Sequence, residues 1–277
     1  MRKDFVLLTE DSEKINVSTF SNSAFIDAPC IILVHGFKGF KDWGFFPYSA
    51  EYFANQGFFV LSFNFSHNGV GDSLTEFTEP EKFADNTFSR EIKELEFLIS
   101  SYLSGTFVNR KNDSVILIGH SRGGAISVLT ASKFREISKV ILWASVKTLD
   151  RYTQRQKNEW REKGKIEVLN FRTKQWMKIN VSLLQDIETN RENTLNIEKA
   201  VSELKKPLLI IHGEQDITVP VAEAKKLYEW SDKSYSEIFI LPSTGHTFNV
   251  VHPFEGSNEK FESVLNKTNE FLKKNFN

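Results

Sequence analysis

Short apolar runs that alternate with amphipathic helical stretches predict an α/β fold: a mostly parallel central sheet flanked by helices, with an inserted lid. Three observations lead there. Runs such as Cys30–His35 and Pro207–His212 are apolar nearly throughout, as strands covered on both faces are. Helix-period segments separate them, most clearly Phe88–Leu103, where Ile92, Leu95, Ile99, Tyr102 and Leu103 share one face. The chain has 277 residues, a length that fits one large α/β domain carrying an insertion.

Taken in order, Asp4–Thr9 and Lys14–Phe20 read as two opening strands joined by a polar turn. Cys30–His35 is a buried strand and Gly36–Gly44 the loop after it. Pro47–Asn55 reads as a helix stopped by Gly57, and Phe58–Asn64 as the next strand. After the helix Phe88–Leu103, the β-branched run Ser114–Ile118 is a strand leading into Gly119–Gly124, and Ala125–Phe134 is helical. Lys139–Ala144 and Pro207–His212 are further strands. Ala222–Trp230 is a helix, Glu237–Leu241 a strand, and Glu259–Lys273 the closing helix.

Residues 146–206 break this rhythm. They are polar, with Trp160, Phe171, Trp176 and Met177 among many charges, and Lys165–Asn170 can pair with Gln175–Asn180 as a hairpin. The expected organisation is a core of residues 1–145 and 207–277 with 146–206 as a lid; a long surface excursion of the core is the alternative. The four large apolar side chains would either cover a substrate or pack the lid onto the core.

Composition excludes some partners. The net charge is −1 and the pI about 6.6, which offers no phosphate-binding surface, so nucleic acid is not expected. No apolar run reaches membrane-spanning length, and the run near the start is closed by Glu10 and Asp11, so a cytoplasmic protein is expected. Cys30 is the only cysteine, which leaves no intrachain disulfide to form. The 25 Phe against 6 Tyr fit either a Phe-rich core or pocket or a genomic composition bias.

Gly119-His120-Ser121-Arg122-Gly123 fits G-x-S-x-G and stands between an apolar strand and a helix, the setting that pattern requires. A sharp strand-to-helix reversal holds the serine in a strained conformation, and side chains at Gly119 and Gly123 would strike neighbouring backbone. Ser121 would then project its hydroxyl from a helix N-terminus, where developing negative charge is favoured.

A serine hydroxyl needs a base to take its proton, and histidine suits that task near neutral pH. His120 adjoins Ser121, so the two side chains should diverge, and His35 and His212 end buried strands. His246, in Pro242-Ser243-Thr244-Gly245-His246, follows the last strand and is the candidate base, with His252 as the alternative. The acid should follow a strand between them. Asp216 does, in the turn after Pro207–His212, with Glu214 as the alternative. The chain order serine, acid, histidine is the one that accompanies a strand–elbow–helix nucleophile. Two backbone donors would hold a developing oxyanion: Arg122 N–H at the helix start and Phe37 N–H in the loop His35-Gly36-Phe37.

Together these motifs resemble the α/β-hydrolase superfamily, over nearly the whole chain. The loop at 35–37, the elbow Gly119–Gly124, the turn Gly213–Pro220 and the stretch Gly245–Phe248 are similar to a bacterial cinnamoyl/feruloyl-esterase-like group, whose members carry a small lid where 146–206 falls. The resemblance implies a serine esterase with Ser121 as nucleophile, His246 as base, Asp216 as orienting acid, the Phe37 and Arg122 amides as oxyanion hole, and no metal or other cofactor. Arg122 stands where several relatives have Gln, and the charged lid shows no pocket signature for a phenolic acyl group. Asn64–Ser73 resembles the superfamily's Asp-x-Arg-Gly-x-Gly-x-Ser loop with Asn64 replacing the acid; His67 within it, with Trp160 and Trp176 from the lid, are candidate substrate contacts. The expected partner is a small-molecule ester, and a homodimer is compatible with the sequence. Two other readings stay open: a serine peptidase acting on short peptides, and a catalytically silent binding protein on the same fold.

Overall fold

A computed structural model describes every residue except 23–26, 74, 110–111, 172 and 277. Strands β1 (Arg2–Leu8) and β2 (Lys14–Phe20) open the chain, and β3 (Cys30–Val34) is followed by helix α1 (Phe46–Asn55) and β4 (Phe59–Phe63). A short α2 (Pro80–Ala84) and a long α3 (Phe88–Leu103) lead to β5 (Val115–His120), α4 (Arg122–Ala131) and β6 (Ile137–Trp143). The segment at 146–206 contributes α5 (Gln154–Lys163), β7 (Lys165–Asn170), β8 (Gln175–Asn180), α6 (Val181–Asn190) and α7 (Ile197–Ser202). The chain returns to the core through β9 (Leu208–Gly213), α8 (Val221–Trp230), β10 (Ser236–Leu241) and α9 (Glu259–Lys273).

Eight strands form one sheet in the order β1-β2-β4-β3-β5-β6-β9-β10. β2 pairs antiparallel with both β1 and β4, and every pairing from β4 to β10 is parallel. The two-residue period of the strands sorts their side chains onto two faces. Ile31, Leu33, Ile116, Ile118, Ile141 and Ile211 pack against Phe46, Phe53, Phe261 and Leu265 of α1 and α9. Ile32, Val34, Leu117, Val140, Leu142 and Ile210 pack against α3, α4, α8 and the inserted segment. Both faces are therefore dry, which is why the strands read as continuous apolar runs.

The inserted segment has a small core of its own. The Trp160 ring is fully buried, donates from Nε1 to the Ile179 carbonyl at 2.9 Å and meets the Tyr152 ring edge-on at 4.8 Å. Alternation along β8 turns Met177 and Ile179 inward and leaves Trp176 68% exposed. Polar contacts fasten the segment down: Ser89 N donates to Asp186 at 3.0 Å, Asn180 Nδ2 to Asp85 at 2.6 Å, and Lys38 Nζ to the Leu169 carbonyl at 3.2 Å. Among the described residues no helix is long and apolar enough to cross a membrane.

Several boundaries shift by one to three residues from the sequence expectation, and the shifts at the turn around Ser121 matter most. Strand β5 continues through Gly119 and His120, and α4 starts at once with Arg122 instead of at Ala125. Gly123 and Gly124 lie in the first turn of α4, where neighbouring backbone and Ser145 leave no room for a side chain.

Candidate active site

Ser121 sits between β5 and α4 with φ 56° and ψ −122°, a conformation that costs a non-glycine residue free energy and is retained only when its surroundings enforce it. Its surroundings do. Ser121 N donates to the Trp143 carbonyl at 2.8 Å, and Ser121 O accepts from Gly124 N at 3.1 Å. A methyl group on Gly119 would come within 2.3 Å of Gly123 O, and one on Gly123 within 2.2 Å of Val34 O. Bare glycines on both sides are thus a steric requirement of the reversal.

His246 follows β10 and Asp216 follows β9, two adjacent parallel strands whose C-terminal ends open on one sheet edge. His246 Nδ1 lies 2.7 Å from Asp216 Oδ2. The other Asp216 oxygen accepts from Thr218 N at 2.9 Å and Val219 N at 2.8 Å. His212 Nε2 stands 3.3 Å from Oδ2 and 2.8 Å from the Val219 carbonyl. Burial disfavours the Asp216 anion, but the hydrogen bonds from His212 and His246 outweigh it and hold the carboxyl below its ordinary range. An ionised Asp216 fixes the proton on His246 Nδ1 and leaves Nε2 as the acceptor.

Ser121 and His246 line one cleft of about 410 Å³, together with Gly36, Phe37, Lys38, Gly39, Trp43, Phe46, His120, Asn170, Thr247, Val251 and His252. Sequence reasoning missed the aromatic wall of this cleft. Trp43 stacks on His252 at 5.8 Å, and Phe40 meets the same imidazole edge-on at 5.2 Å. His252 Nδ1 accepts from Gly44 N at 2.9 Å, so the imidazole considered as an alternative base serves the loop, and the bond to Asp216 belongs to His246.

His120 does more than diverge from Ser121. Its ring lies 4.8 Å from the His246 ring, and its Nε2 donates to the His246 carbonyl at 3.0 Å. Burial, with the neighbouring His246 adding to it, pushes His120 down to about 3, so this support stays neutral. His35 Nδ1 donates to the Gly36 carbonyl at 3.0 Å and its Nε2 accepts from Phe65 N at 3.3 Å, which fixes the start of the loop that holds Phe37. A methyl on Gly36 would lie 3.0 Å from Ser121 Cβ and 3.3 Å from Arg122 N, so this loop and the start of α4 touch. The loop that carries Phe37 thus meets the start of α4 beside Ser121.

Three sequence candidates lie apart from the cleft lining. His67 is buried, bonded through Nδ1 to Ser66 Oγ at 2.7 Å, and belongs to a polar cluster with Glu94. Trp160 is enclosed in the inserted segment and Trp176 faces outward. From that segment the cleft receives Asn170, at the end of β7.

The fold and this arrangement define an α/β-hydrolase. The sequence matches the dienelactone hydrolase family over residues 17–276, and the chain belongs to that family. No curated protein matches it. Solved structures share the fold at low identity. Est1E from Butyrivibrio proteoclasticus, in its form bound to ferulic acid, is 18% identical with a TM-score of 0.75, covering 97% of each chain. The α/β hydrolase GrgF from Penicillium sp. sh18 is 18% identical with a TM-score of 0.75, covering 100% of this chain and 99% of its own. The Pyrococcus furiosus esterase PF2001 is 19% identical with a TM-score of 0.63, covering 100% of this chain and 92% of its own.

Proposed function

We propose that this hydrolase cleaves carboxylic esters by way of an acyl-enzyme on Ser121. The observation that carries the reading is the 2.7 Å bond from His246 Nδ1 to Asp216, with His246 and a strained Ser121 lining the same cleft. His246 Nε2 takes the hydroxyl proton as Ser121 attacks the carbonyl. The oxygen that becomes negative is held by the Phe37 and Arg122 amides, each such donor being worth about 3 kcal/mol. His246 returns the proton to the leaving alcohol, then activates a water that frees the acid. Asp216 orients the imidazole and stabilises its cationic form.

The cleft supports a compact, partly aromatic acyl group. Its size falls within the usual range of small-molecule sites, and Phe37, Trp43, Phe46 and His252 offer ring faces and edges. Hydroxycinnamate esters are the aromatic members of this class to test first, since Est1E, a structural relative, is known with ferulic acid bound. The inserted segment, which places Asn170 in the lining and ties Leu169 to Lys38, acts as the lid over this site. The test is a panel of p-nitrophenyl esters of rising acyl length, methyl hydroxycinnamates and aminoacyl anilides. Turnover of short or aromatic esters with little anilide cleavage is expected. Efficient anilide cleavage with negligible ester turnover would make the protein a peptidase instead.

A further inference from the structure

We propose that the Arg122 side chain is a positioning group for the oxyanion hole, gripping the Phe37 ring on one side and anchored by Glu91 on the other. The inference rests on the hydrolase reading above, which uses only the Arg122 backbone. The guanidinium carbon lies 4.9 Å from the centroid of the Phe37 ring and 5.5 Å from that of Phe88. Arg122 Nη2 lies 2.6 Å from Glu91 Oε1, with the two side chains only 11% and 1% exposed. Asn86 Nδ2 donates to the same Glu91 oxygen at 2.7 Å, and Phe83 backs the Phe37 ring at 5.5 Å. The two residues that offer the oxyanion amides are thus joined to each other through their side chains.

The pair is poorly explained as a stabilising salt bridge. Burying two charges costs desolvation that their attraction scarcely offsets, and apolar side chains of similar volume usually serve stability as well. Nor is its geometry the two-bond fork that makes such pairs strong: among the described residues, Glu91 Oε2 and Arg122 Nε have no hydrogen-bond partner. What the arrangement does provide is a guanidinium placed over an aromatic ring. A flat guanidinium stacks on an aromatic face, whereas a lysine ammonium provides only a point charge. This contact holds the Phe37 ring against α4, and with it the separation of two amides that must meet one oxygen atom. Glu91 and Asn86 keep the guanidinium from swinging into the cleft.

The test uses the full chain and the variants Arg122→Lys, Arg122→Gln, Glu91→Gln and Phe37→Leu, all of which keep both backbone amides. Steady-state ester hydrolysis is read together with inhibition by an alkylboronic acid, whose tetrahedral adduct on Ser121 mimics the charged intermediate. The expected result is a fall in kcat of about ten- to hundredfold, KM within about threefold of wild type, and boronate affinity lost in parallel with kcat. Glu91→Gln follows in the same direction. If Arg122→Gln fails to fold, Arg122→Lys and Phe37→Leu still decide, since they retain a cation against Glu91. Variants with kcat within about twofold of wild type, a rise in KM at constant kcat, or loss of folding in all four would overturn the positioning role. Wild-type protein with neither ester turnover nor a fluorophosphonate adduct would instead overturn the hydrolase reading, and this inference with it.

Discussion

His246 Nδ1 lies 2.7 Å from Asp216 Oδ2, across the C-terminal ends of two neighbouring parallel strands. The contact dictates the tautomer of the imidazole, because an ionised carboxylate can only accept. Asp216→Asn offers an amide that no longer demands a proton on Nδ1. Its kcat on a p-nitrophenyl ester should fall by about a thousandfold or more while the fold survives. A variant within about tenfold of wild type would remove Asp216 from the mechanism and turn attention to Glu214.

Two glycines separate folding from catalysis. Gly123→Ala would drive a methyl to within 2.2 Å of Val34 O and 2.6 Å of His35 O, both backbone atoms of the central sheet or its margin. The expected cost is at least about 3 kcal/mol, read as a lowered urea midpoint or insoluble protein. Gly36→Ala meets His120 O at 2.9 Å and Ser121 Cβ at 3.0 Å, a milder overlap that forces the loop to move. It should remain folded yet lose about tenfold or more in kcat, since the Phe37 amide moves with the loop.

The two tryptophans of the inserted segment should behave oppositely. Trp160 is fully buried and hydrogen-bonded to Ile179, so Trp160→Ala should destabilise by about 3–5 kcal/mol, checked by urea unfolding. Trp176 is 68% exposed and outside the cleft lining, so Trp176→Ala should leave kcat/KM within about twofold. A large KM increase in Trp176→Ala would return that ring to the substrate.

Glu94 gives stability a defined pH dependence. It is buried on α3 and accepts from Ser66 N at 2.8 Å and from Ser66 Oγ. Burial raises its carboxyl from 4.5 to about 7, against the opposing Ser66 hydrogen bonds. Between those values the native chain holds a proton that the unfolded chain has released. Its contribution is therefore complete below pH 4.5 and is lost as pH rises through 7. Glu94→Gln cannot titrate, whereas the other buried groups are common to both proteins and cancel. Wild type should lose stability relative to Glu94→Gln on going from pH 4.5 to 7 in paired urea titrations. A constant difference would contradict the assignment.

Much of this was legible in the sequence because local chemistry decided it. The ranges Lys14–Phe20, Phe88–Leu103, Lys165–Asn170, Gln175–Asn180 and Glu259–Lys273 follow from apolar period alone, and the structure has the same elements. Ser121, Asp216 and His246 are legible as candidates because each stands just after an apolar strand. What stayed hidden depends on pairing across space. Nothing near Glu91 announces that it faces Arg122, although its place among Ile92, Leu95 and Ile99 put a carboxylate beside a buried stripe. His67, Trp160 and Trp176 stand out by residue type alone, whereas burial and strand alternation decide where they lie.

Ser121 is the proposed nucleophile. Intact-mass measurement after fluorophosphonate treatment, with peptide mapping, tests it directly on wild type and Ser121→Ala. One adduct is expected, on Ser121 and absent from the variant, with ester turnover in the variant lower by about a thousandfold or more. An adduct on another residue, or a Ser121→Ala protein that hydrolyses esters as fast as wild type, would contradict it.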